Sequence, residues 1–163
     1  MKQITMNLDE NHLRPITELS AFYEISALID TGADFPVWIG DKEVLEAMNA
    51  VPLNKTVYFT GFGGSVQGEL YRLDLIFGSS LNNSIIYNKM PIIACDQLNS
   101  TNYQIILPAT IFENMVYQID NINHKLNIDI PDGQVSRNLG FSEEGKGIVI
   151  YSIQDNSIPQ NET

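Results

Sequence analysis

The chain has 163 residues, enough for one domain with a substantial core, and its apolar fraction of 44% is that of an ordinary globular protein. Lysine and arginine number 9 against 20 aspartates and glutamates, a net charge of −11, which argues against nucleic acid or an anionic membrane surface as a partner. A single cysteine, Cys95, excludes an internal disulfide framework, and no apolar run has the length of a leader or a membrane span. The expectation is a cytoplasmic protein.

Strand signals dominate the chain. Lys2 to Leu8 alternates and predicts a first strand, and Glu24 to Ile29 predicts a second that ends at Asp30. Phe35 to Ile39 continues as a short extended run. Gly40 stops it, and Asp41 is placed to cap a short helix with Val44, Leu45 and Met48 on one face, closed off by Pro52. Val57 to Phe62 and Val66 to Phe77 predict a hairpin around Gly61-Phe62-Gly63-Gly64. In its second arm Tyr71, Leu73, Leu75 and Phe77 take one face, Arg72 and Asp74 the other.

Met90 to Ala94 and Tyr103 to Leu107 read as further buried strands. Pro108 breaks the latter and fits the first turn of a helix whose apolar face is Ile111, Phe112, Met115 and Val116. A hairpin follows, Tyr117 to Ile119 and Lys125 to Ile130. Beyond Pro131 the pattern weakens. Gly147 to Ile153 predicts one more strand, and Asp155 to Thr163 a flexible polar tail. His12, His124 and Cys95 form no ligand-spaced cluster, and no Gly-rich phosphate loop is present, so neither metal nor cofactor is expected.

Ala27-Leu28-Ile29-Asp30-Thr31-Gly32-Ala33 is the stretch that bears on chemistry. A register that buries Leu28 or Ile29 carries Asp30 to the edge of the core, where desolvation disfavours its carboxylate. Gly32 suits a tight turn that a Cβ would obstruct, and Thr31 offers a hydroxyl to pin it. Taken alone, Asp-Thr-Gly is a common turn.

The order of strand, Asp-Thr-Gly-Ala loop, strand, Gly-rich hairpin, apolar strand and helix resembles the retroviral-type, single-lobe (retropepsin-like) aspartic proteases over residues 1–132. Three segments carry the resemblance. They are Leu28 to Asp34, the flap-like Thr60-Gly61-Phe62-Gly63-Gly64, and Ile105-Ile106-Leu107 leading into a helix. Two positions depart from it. Pro108 stands where the family has glycine, and Ala109 where an arginine often follows, which leaves Asp34 without that partner.

The resemblance implies a mainly β, single-lobe acid-protease-like closed β-barrel with short helices and a flap hairpin, assembled as a two-fold homodimer. It implies an aspartic endopeptidase acting on polypeptides. Asp30 would be catalytic, Thr31, Gly32 and Ala33 its active-site loop, and Gly61, Phe62, Gly63 and Gly64 the flap over substrate. Peptide hydrolysis by carboxylates needs two of them sharing a proton. The chain offers one such loop, so the second comes from a second copy. Val37, Ile92 and Ile106 read either as apolar subsites or as core. Residues 133–163 form a C-terminal extension. Two other readings stay open: a catalytically silent binding or dimerisation module of the same fold, favoured by Pro108 and the extension, and an unrelated small β-barrel in which Asp30-Thr31-Gly32 is only a turn.

Overall fold

The computed structural model describes residues 2–61, 64–80, 83–95, 102–131, 134–144 and 147–158. The chain is mainly β. Strand β1 (Lys2–Asn7) buries Ile4 and Met6 and leaves Gln3, Thr5 and Asn7 outside, the period-two pattern that the sequence carries. Strand β2 (Ile16–Ala21) was not expected, and Glu18 and Ala21 are poor strand formers. Burial of Ile16, Thr17, Leu19 and Ala21 shows that packing, not propensity, fixes it. It turns through Phe22, whose φ is 64°, into β3 (Tyr23–Asp30).

After the short β4 (Val37–Trp38) comes helix α1 (Lys42–Ala47), capped as expected: Asp41 Oδ1 accepts the Glu43 N–H at 2.9 Å. Leu45 and Met48 are buried, but Val44 is exposed. The helix ends before Asn49, whose φ of 61° reverses the chain, so Pro52 does not close it. Pro52 instead sits within β5 (Val51–Gly61), beside a register shift between Pro52 and Thr56. Strand β5 pairs with β6 (Gly64–Ser80), and β6 with β7 (Asn83–Ala94). Tyr71, Leu73, Leu75 and Phe77 are all buried, as their alternation predicts.

Strand β8 (Ile105–Pro108) ends at the proline, and a 3-10 turn, Ala109–Phe112, replaces the expected longer helix. Ile111 and Phe112 are buried, whereas Val116 is exposed. The hairpin of β9 (Tyr117–Asp120) and β10 (Lys125–Ile130) follows the sequence reading. The extension departs from it. It supplies two long strands, β11 (Gln134–Glu144) and β12 (Gly147–Ile158), where one strand and a frayed tail were expected. Asp155 to Ile158 pair with β11; residues 159–163 lie outside the described part.

Two sheets result. A three-stranded sheet has the order β1-β10-β9. A nine-stranded sheet has the order β12-β11-β7-β4-β8-β3-β2-β6-β5, with β6 also pairing β7, so the pairing returns on itself through six strands. One apolar core fills the space between them. Val37, Ile92 and Ile106 are buried in that core. No helix among the described residues is long and apolar enough to cross a membrane.

Gly68 marks a close approach of β6 to β7. A Cβ there would lie 2.3 Å from Ile93 Cγ2 and 2.9 Å from the Ala94 carbonyl oxygen. Gly68→Ala is therefore expected to lower stability by about 1–3 kcal/mol in urea unfolding. Gly64→Ala, whose Cβ would meet nothing within 4 Å, should leave the midpoint in place.

Candidate active site

Strand β3 lies between β2 and β8 and buries Ile25, Ala27, Leu28 and Ile29. Its last residue, Asp30, is held from both sides. It is paired in parallel register with Pro108, and the preceding Ile29 N–H donates to the Pro15 carbonyl at 2.9 Å. The Asp30 side chain is 34% exposed, at the margin of the core. Its Oδ1 accepts the Gly32 N–H at 2.9 Å, and its carbonyl accepts the Ala33 N–H at 3.1 Å, closing the turn. Phe35, buried, anchors the far end of the loop. Thr31 and Gly32 are exposed, and Ala33 is half-buried.

Gly32 departs from the sequence argument. Its φ is not in the left-handed region, and a Cβ would meet only Asp30 Oδ1, at an ordinary 3.4 Å. Within one chain this turn does not demand glycine.

Arg14 was not singled out from the sequence. Its Nη2 lies 3.8 Å from Asp30 Oδ2, and its Nη1 donates to the Tyr103 hydroxyl at 3.4 Å. Arg14 is 59% exposed, so the contact is a loose surface pair. An Arg-Pro before a strand that flanks the Asp-Thr-Gly strand was its only signal. Asp34 is exposed, and among the described residues no ion pair holds it.

The glycine-rich hairpin forms as β5 and β6, with Gly61 opposite Gly64 as the last pair. Phe62 and Gly63, the two residues expected at its tip, lie outside the described residues. Along β5, Val57 is buried, Phe59 half-buried and Tyr58 exposed. The C-terminal hairpin touches both this element and the Asp30 loop. Lys55 Nζ meets Glu143 Oε1 at 2.5 Å, and the Phe141 ring stacks edge-on against Phe35 at 6.3 Å. The Arg72 guanidinium sits 5.7 Å over the same Phe141 ring.

Behind the site Arg137, 1% exposed, is a second residue that sequence reading passed over. Its Nε and Nη2 donate to the two carboxylate oxygens of Asp155, both at 2.7 Å. Nη1 donates to the Ile111 carbonyl at 2.7 Å and Nη2 to that of Glu113 at 2.6 Å. The buried Tyr87 hydroxyl also donates to Ile111 O, at 2.7 Å, and burial raises its pKa, so it stays a neutral donor. Among the described residues no group of three or more His, Cys, Asp or Glu is placed to hold a metal.

No protein-family model matches the chain, and no curated protein is similar to it. Among solved structures, the chain is similar to a retropepsin-like aspartic protease from Rickettsia conorii. The TM-score is 0.52 at 13% identity, over 93% of this chain and 94% of that one. At that identity the likeness is one of fold: a mainly β chain of retropepsin-like architecture.

Proposed function

We propose that the chain is an aspartic endopeptidase that hydrolyses polypeptides as a two-fold homodimer. The observation that carries this reading is Asp30 itself. It sits at the end of a doubly flanked strand, partly exposed, with Oδ1 fixed by the Gly32 amide, in a chain similar in fold to a retropepsin-like protease. In the proposed mechanism the Asp30 carboxylates of two copies share one proton. One takes a proton from water while the other hydrogen-bonds the scissile carbonyl. Thr31, Gly32 and Ala33 form the loop at the two-fold axis, and the Gly61–Gly64 hairpin closes over substrate. Arg14 then competes with the second copy for Asp30 Oδ2 and swings aside on assembly. The return of strand pairing through β7, β4, β8, β3, β2 and β6 supports a closed barrel as the lobe. A cytoplasmic location belongs to the same proposal.

The competing reading is a catalytically silent module of this fold. Pro108 favours it, since a buried ring stands directly beside Asp30 in the β8 register. A dilution series separates the two. Sedimentation and peptidase rate, measured on the same samples, are expected to fall together below the dimer dissociation constant. Moderate salt should delay that fall by screening a charge of −11 per chain. A dimer that cleaves no member of a mixed peptide library supports the silent module; full activity in a monomer overturns the shared-dyad mechanism.

A further inference from the structure

Strand β1 is paired on one side only, by β10, so its other edge is open among the described residues. That edge faces β2, to which it is joined at one end by the Leu8–Thr17 bridge, the Asp9 N–H to Ile16 carbonyl bond of 2.8 Å and the Thr17 hydroxyl on the Asn7 carbonyl at 2.8 Å. From there the strands diverge around a cavity of about 560 Å³, lined by the unbroken runs 3–9 and 16–20. Consecutive residues of both strands line it, so it opens between their edges, and the alternate residues Glu24 and Ser26 extend it over the adjoining face of β3.

Backbone direction follows from the bonds already made. Leu8 N–H donates to His124 O, away from the cavity, and Asp9 N–H donates to Ile16 O, across it. By strict alternation the amides of Gln3, Thr5 and Asn7 also point into the gap. The lining carries Asp9, Glu18 and Glu24 and no lysine or arginine. Among the described residues, only Asp9 of these three has an ion-pair partner, His12 Nε2 at 3.6 Å. The neighbouring Glu24 carboxyl raises the Glu18 pKa, by hydrogen bonding first and then, with partial burial, by like charge.

We propose that this slot is a docking site for an extended, lysine- or arginine-bearing segment of a partner polypeptide, which adds as a strand to the open edge of β1. Backbone bonds supply affinity, and the carboxylates select basic side chains. A second copy of this chain, at −11, does not match that charge, and residues 159–163 carry Glu162 and no cation. The proposal stands independently of the reading of Asp30, which lies at the opposite end of β3 from Glu24.

The probe is an eight-residue peptide of alternating lysine and valine, titrated into the full chain carrying Asp30→Asn so that no bound peptide is cut. The expected result is saturable binding about tenfold or more tighter than that of the glutamate–valine counterpart. Exchange of the amides of residues 3, 5 and 7 should slow in the complex. N-methylation of alternate peptide amides, and the double variant Glu18→Lys with Glu24→Lys, should each weaken binding by about tenfold or more. Circular dichroism and urea unfolding establish that the double variant is folded. Undiminished binding of the N-methylated peptide would reduce the site to nonspecific charge attraction and overturn the proposal. Protection confined to residues 55–61, or no saturable binding, would overturn it as well.

Discussion

Asp30→Asn is expected to lower peptidase activity by at least about 10²–10⁴-fold, the usual worth of a positioned acid–base group, while leaving folding intact. The asparagine keeps an Oδ1 to accept the Gly32 N–H, so the turn survives. It loses only the loose contact to Arg14, 3.8 Å away and 59% exposed, worth about 0–1 kcal/mol. An amide takes no proton from water, so chemistry fails where stability does not. Excess Asp30→Asn chains should also poison wild-type activity beyond simple dilution, because each mixed dimer holds one working carboxylate. The checks are peptide turnover and urea unfolding on one preparation. Retained turnover in a variant free of wild type would remove Asp30 from the mechanism.

Where side-chain alternation is strong, the sequence was enough. Tyr71, Leu73, Leu75 and Phe77 fall on the core side as their spacing predicts, and Asp41 caps its helix. Asp30 could be placed because a charge directly after Leu28 and Ile29 has few explanations. The failures share a cause. Strand β2 mixes the strand formers Ile16 and Thr17 with the poor ones Glu18 and Ala21, and it is held by its pairing to β3 and by the core. In β11, nothing near Arg137 in the sequence singles it out, because Asp155 is brought opposite it only by the hairpin register. Arg14 reaches Asp30 only through the β2–β3 pairing. Contacts fixed by register between strands leave no local trace in composition.

Arg137→Met is expected to destabilise the fold by about 3 kcal/mol, the lower end of what removing one partner of a buried ion pair costs. The guanidinium is 1% exposed and satisfies four acceptor atoms: both oxygens of Asp155 and the carbonyls of Ile111 and Glu113. Two features hold the cost below the maximum. Asp155 is 36% exposed and regains water, and Ile111 O keeps the Tyr87 hydroxyl. Methionine fills most of the stem's volume, so the loss reports the polar contacts and not a cavity. Lysine should rescue little, because one ammonium cannot reach a carboxylate and two carbonyls in that planar arrangement. Asp155→Asn should cost less, about 1–2 kcal/mol, since the amide still accepts one bond. The consequence reaches the site. Ile111 lies in the turn that follows Pro108, and Pro108 lies beside Asp30, so this arginine ties the β11–β12 hairpin to the backbone behind the carboxylate. Urea unfolding gives the energy, and amide exchange at residues 147–156 and 109–113 shows whether hairpin and turn loosen together. A loss under about 1 kcal/mol with exchange unchanged in both segments would mean that β12 is held by its ladder to β11 alone.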